Sequence, residues 1–143
     1  MATVPGGDGM FTCSGGCHCG RVKFEIEIPT EIIVHRCNCS ICRKSGYLHL
    51  IVAASRFNLL SGGEDLIEYR FHTGAARHLF CGVCGIKSYY VPRSHPDSFS
   101  VNLNCIELPA EIDVTIEAFD GRNWSENREK LAGAPSTDET RPD

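Results

Sequence analysis

Three short runs of cysteine set the chemistry this chain can do. They are Gly15-Gly16-Cys17-His18-Cys19-Gly20, Cys37-Asn38-Cys39-Ser40-Ile41-Cys42 and Cys81-Gly82-Val83-Cys84-Gly85. Thiolates are soft ligands that select zinc, copper(I) or iron–sulfur clusters. The third run has the form of a zinc knuckle, two thiols three apart on a turn, with glycines that let backbone N–H groups face the sulfurs. A knuckle supplies half of a tetrahedral site and needs two more ligands. Cys17 and Cys19, at i and i+2, project from one face of extended chain and meet that need. The four thiols Cys17, Cys19, Cys81 and Cys84 then close a structural site. Such a crosslink spans a loop of about sixty residues, worth several kcal/mol by analogy with a disulfide.

Cys37, Cys39 and Cys42 behave differently. Three thiols within six residues can wrap one face of a metal, and no fourth cysteine is spaced to join them, Cys13 and Cys105 being isolated. Three protein ligands and one vacant position are what a catalytic zinc has. A zinc there would hold a substrate thiol as its thiolate. Seven clustered thiols therefore predict two zinc ions per chain. Two other arrangements use the same residues: a single two-zinc cluster of purely structural purpose, or a second site closed by Cys105 or His35. His35 and His49 flank the second run and could stand behind its ligands. His18 reads as a loop histidine, and His72, His78 and His95 as surface or turn residues. Cys13 and Cys105 read as inert thiols.

Disulfides are the competing use of cysteine. Nine is an odd number, and single-residue gaps separate Cys17 from Cys19 and Cys37 from Cys39. A bridge prefers alpha carbons about 5.5 Å apart in a set orientation, so such gaps would strain it. Residues 1–9 carry no basic segment followed by an apolar stretch, as a secretory signal would. The expectation is a reducing compartment, cytosol or nucleus, with the thiols as metal ligands. No apolar run approaches the ~20 residues of a membrane helix, and no membrane association is expected. The formal charge is −4. Seven thiolates and two zinc ions would take it to about −7, and no basic run is present to hold a phosphate backbone. Nucleic-acid binding by this domain alone is therefore not expected.

The elements that position these ligands read as strands. Residues 22–28 alternate apolar and polar and stop at Pro29, the pattern of a half-buried strand. Residues 32–34 lead into the second cysteine run, and residues 48–53 form a buried strand. Further strands are expected at 57–60, 87–91, 99–103 and 114–118, with a hairpin from 66–71 and 77–80. Only 124–131 looks helical, with Asn123 or Ser125 as a possible cap. The 143 residues and 42% apolar content suit one domain. It is expected over 13–131, between a flexible N-terminus at 1–12 and a Pro-, Ser- and acid-rich disordered tail at 132–143. Short strands at intervals near ten residues, broken by Gly and Pro, point to an all-β domain.

The runs GGCHCG, CNCSIC and FCGVCG, in that order, resemble the glutathione-dependent formaldehyde-activating enzyme family, and within it the animal branch related to centromere protein V. Supporting matches are Ala54-Ser55-Arg56-Phe57 with Leu59-Leu60-Ser61-Gly62, Tyr90-Val91-Pro92-Arg93-Ser94, and Phe119-Asp120-Gly121 with Trp124. The likeness runs from about Gly15 to Leu131. It implies a β-tent fold, short antiparallel sheets organised around zinc, with one short C-terminal helix. It implies a structural zinc on Cys17, Cys19, Cys81 and Cys84 and a catalytic zinc on Cys37, Cys39 and Cys42. It also implies a reaction, the addition of glutathione to formaldehyde to give S-(hydroxymethyl)glutathione, a carbon–sulfur lyase chemistry. Arg43, Lys44 and Arg93 are candidates for the glutathione carboxylates because they are cationic and near motif positions. The alternative is a zinc-stabilised binding domain that recruits a protein or chromatin partner.

Overall fold

A computed structural model describes residues 9–71, 74, 76–92 and 97–120. The domain is mainly β. Strand β1 (Phe11–Gly16) pairs antiparallel with β2 (Lys23–Ile28) along its whole length, from Phe11 opposite Ile28 to Gly16 opposite Lys23. Alternation puts Phe24, Ile26 and Ile28 of β2 inside, and β5 (Phe57–Ser61) completes this three-stranded sheet. A second sheet runs in the order β10 (Asp113–Phe119), β3 (Glu31–Cys37), β4 (Leu48–Ala53), β9 (Ser98–Asn102) and β8 (Tyr89–Tyr90). β6 (Leu66–Tyr69) and β7 (His78–Cys81) form the two-stranded ribbon expected from the sequence.

The core lies between the first two sheets. Phe24 of β2 stacks on Phe57 with ring centroids 5.0 Å apart, Phe57 stacks on Phe99 at 4.4 Å, and Tyr89 closes edge-on against Phe24 at 5.5 Å. Val22, Ile26, Val34, Leu50, Val52 and Val101 fill the space around them. Each fully buried side chain of this size contributes about 1.5–3 kcal/mol.

Four features depart from the sequence expectation or fall outside it. β1 begins at Phe11, inside the segment expected to be flexible, and its inward Cys13 joins the core. A six-residue helix, α1 (Ser40–Ser45), occupies the second cysteine run and ends where Gly46, at φ 66, donates its N–H to the Cys42 carbonyl. β10 lies parallel to β3, from Asp113 beside Glu31 to Phe119 beside Cys37, an arrangement that local patterning does not disclose. β8 keeps only two residues of the expected 87–91 strand, with Val91 making an isolated bridge to Arg77. The expected helix at 124–131 and the tail at 132–143 lie outside the described residues, and no described helix is long and apolar enough to cross a membrane.

Candidate metal centres

The first cluster is built where the β1–β2 hairpin meets the turn after β7. Cys17 and Val22 close the hairpin, the Cys17 N–H donating to the Val22 carbonyl at 3.0 Å and the Val22 N–H to Cys17 Sγ at 3.3 Å. At the other end, Cys81 N–H donates to the Ile86 carbonyl and Gly85 N–H to the Cys81 carbonyl. Gly85, at φ 81, supplies the left-handed residue that this knuckle needs. Val83 and Cys84 N–H groups then point at Cys81 Sγ, at 3.4 and 3.5 Å. Two turns so folded bring the four sulfurs of Cys17, Cys19, Cys81 and Cys84 within 4.8 Å of one another.

The donor set fits a tetrahedral metal. Cys17 and Cys19 sulfurs are 3.6 Å apart and Cys19 and Cys81 sulfurs 3.7 Å. A tetrahedron with zinc–sulfur bonds of about 2.3 Å has edges of about 3.8 Å. The Arg21 backbone N–H lowers the Cys19 thiol pKa against the opposing effect of burial, and the Arg21 side chain adds to it. Burial raises the Cys84 thiol, but backbone N–H groups of Cys19 and Ile86 outweigh it and bring the group to about 6. Both shifts favour thiolates, the form that binds metal.

The second cluster forms around α1. Cys37 ends β3, Cys39 is the residue before the helix, and Cys42 lies within it, buried. The Cys39 N–H points at Cys37 Sγ at 3.5 Å, and Asn38 ties the corner to β10 through the Phe119 carbonyl and Asp120. The three sulfurs lie within 4.8 Å of one another. They compete for charge. The Cys39 side chain raises the Cys37 thiol to about 11, while hydrogen bonds from Cys37 and Cys42 lower Cys39 to about 2. Cys37 and Cys39 also push Cys42 upward. One thiolate thus forms at the expense of the others, and a cation is what would let all three ionise. The chemistry of the set fits a soft divalent metal such as zinc.

Behind Cys42 stands a buried polar chain. His49 Nε2 is 2.9 Å from Cys42 Sγ, and His49 Nδ1 is 2.9 Å from Ser100 Oγ and 3.2 Å from the Tyr90 hydroxyl. Tyr47 donates to the Ser100 carbonyl at 2.5 Å and its ring lies 4.5 Å from the imidazole. Burial, aided by Lys87, lowers His49 to about 3, so the ring is neutral. The Ser100 and Tyr90 hydroxyls can donate to Nδ1, which would leave Nε2 to carry the proton and donate to Cys42 Sγ when that sulfur is a thiolate.

Of the two histidines read as flanking this run, the structure brings only His49 to the thiols. His35 sits opposite it across β3 and β4, but its Nε2 faces Glu117 at 3.8 Å and its ring meets Phe119 edge-on. Neither His35 nor Cys105 joins the three thiols, and the seven cysteines separate into two groups rather than one. Cys105 is raised to about 11 by burial and then by Cys17 and Cys84, which puts it on the side of the first cluster. His18 is exposed between Cys17 and Cys19. His78 is not the surface residue expected: it is 5% exposed and stacks between Phe71 and Tyr90 at 5.3 and 4.6 Å. Lys44 lines a groove of about 410 Å³ with Ser40, Ile41, Ser45, Tyr69 and Phe71, next to the second cluster. Arg43 is exposed on α1, and Arg93, His72 and His95 lie outside the described residues. The sequence reading gave Tyr47, Tyr90, Ser100 and Lys87 no role at this site: Tyr90 and Ser100 reach it only through strand pairing, and Lys87 follows the other cluster's knuckle.

Two thiol clusters on a small β scaffold, one of four and one of three, define a cysteine-rich domain with two groups able to hold a metal ion. The sequence model of the glutathione-dependent formaldehyde-activating enzyme family matches residues 12–122, and the chain belongs to that family. It is 27% identical over 116 residues to a protein of Halomonas elongata named, provisionally, as such an enzyme, covering 72% of this chain and 74% of the relative. A crystal structure of a Rhodobacter sphaeroides protein superposes with a TM-score of 0.60 at 33% identity, covering 71% of this chain and 99% of that one.

Proposed function

We propose that the chain adds glutathione, or a similar small thiol, to formaldehyde at Cys37, Cys39 and Cys42, a carbon–sulfur lyase chemistry. The first cluster would be a structural zinc site and the second the catalytic one. The observation that carries this is the three-thiol cluster itself: among the described residues no fourth protein ligand joins it, in a chain of the glutathione-dependent formaldehyde-activating enzyme family. A zinc ion held there would supply a fourth coordination position at which a thiol ionises at neutral pH. Cys37 and Cys39, half-buried, form the accessible side of the site, while Cys42 and His49 form its floor. His49 Nε2–H steadies the Cys42 sulfur, and Ser100 and Tyr90 hold the imidazole in that orientation. The groove beside α1 is where the peptide part of the thiol would lie, with Lys44 the cation available for a carboxylate. The kinship with centromere protein V is part of this proposal and rests on the sequence motifs.

Glutathione and formaldehyde also combine unaided, so the test is exchange between free and adduct glutathione, followed by NMR with and without zinc-loaded protein. The expected result is faster exchange, abolished by Cys39→Ala. Unchanged exchange with both sites loaded would leave a zinc-stabilised binding domain as the better reading.

A further inference from the structure

Lys87 lies in the loop between the knuckle and β8, and its amine is buried with no hydrogen-bond partner among the described residues. A lysine used only for packing turns its amine to water along its flexible stem. Here Nζ is turned inward, 3.6 Å from the centroid of the Tyr90 ring and 4.4 Å from that of Tyr47. The backbone is fixed as well, because Asn102 Nδ2 donates to the Lys87 carbonyl at 3.1 Å. These same two tyrosines pack on His49, which contacts Cys42. The charges within electrostatic reach that favour its ammonium form are the Cys42 and Cys39 thiols, while burial pulls it down to about 8.

We propose that Lys87 is the charge-compensating residue of the second cluster, the one that lets it accept an anionic fourth ligand, a thiolate, in place of neutral water. This rests on the reading that the cluster takes a substrate thiol. Three thiolates and a divalent ion sum to −1, and a fourth thiolate makes −2 in a partly buried site. That second negative charge is unfavourable without a nearby cation. The ammonium of Lys87, held by ring faces and paired with no carboxylate among the described residues, keeps its charge available to the cluster. A neutral ligand gains little from it. Lys87 therefore selects among ligands by their charge while touching none of them.

The test is ligand binding, not turnover. Cobalt(II) is loaded into the full chain and into Lys87→Met and Lys87→Arg variants. Each is titrated with 2-mercaptoethanol, which binds as the thiolate, and with neutral imidazole, while the visible cobalt spectrum is followed. Lys87→Met should fold, because exchanging a buried unpaired charge for an apolar group of similar length is not destabilising in an aromatic setting. Its affinity for 2-mercaptoethanol should fall about tenfold or more, the effect of one unit charge through protein. Imidazole affinity should stay within about twofold, and Lys87→Arg should recover most of the thiol binding. Equal loss for both ligands, or no loss for either, overturns the assignment while the proposed function stands. A wild-type spectrum that does not respond to thiol overturns the proposed function, and this assignment with it.

Discussion

His49 is the residue on which the second cluster leans. Its Nε2 faces Cys42 Sγ at 2.9 Å, and its other nitrogen is held by Ser100 and Tyr90. Outer partners of this kind orient a ligand and tune its basicity, and removing one typically weakens metal binding about 10–100-fold. His49→Leu should show that loss at the second cluster only, measured by competition with a chromophoric chelator. It should also leave the Ser100 and Tyr90 hydroxyls short of a partner, lowering stability by about 1–3 kcal/mol. Unchanged metal affinity in the variant would reduce His49 to a packing residue. The sequence marks His49 because it follows the cluster closely. It gives no such sign for Lys87 or Tyr90, which come from the segment after the knuckle and reach the site only through the sheet order β4-β9-β8.

Elements differ in how openly the sequence announces them. β2 and β4 are legible because Phe24, Ile26 and Ile28 alternate with polar residues, and because 48–53 is nearly continuous in apolar side chains. β1 is hidden, since Gly15, Gly16 and a cysteine look like loop, and only the full-length pairing with β2 makes them a strand. α1 is hidden too: six residues offer no helical repeat, and Cys39 before it makes no side-chain cap. The parallel β3–β10 pairing joins segments far apart in sequence, so no local pattern reports it. Crosslinks between elements are a different matter, because cysteine spacing predicted which thiols the fold brings together. The β1–β2 hairpin and the turn after β7 meet at the first cluster, and a structural zinc there, as proposed, would contribute on the order of 10 kcal/mol to folding. Cys81→Ala should therefore unfold the domain, seen as loss of the β signal in far-ultraviolet circular dichroism. Cys39→Ala should keep that signal and lose one metal equivalent. The opposite pattern would mean that the structural and catalytic roles are reversed.

For the whole molecule the two clusters act as one acidic system with unequal parts. Protons and metal compete for the same sulfurs, so affinity at both sites falls as the pH falls. The first cluster has four sulfur ligands, with backbone N–H groups helping to lower Cys19 and Cys84. The second has three, two of them half-buried, and would lose less on losing a metal because its flanking strands β3 and β4 are held by the core through Ile32, Val34, Leu50 and Val52. A chelator should therefore remove metal in two phases. The first equivalent should leave rapidly with no change in circular dichroism, and the second slowly, together with the β signal. Lowering the pH should give the same order. Elemental analysis of protein purified without chelator should give two zinc ions per chain before the titration starts. Release of both equivalents in a single phase, with unfolding throughout, would show that the clusters form one cooperative structural unit and leave no labile site for a substrate thiol.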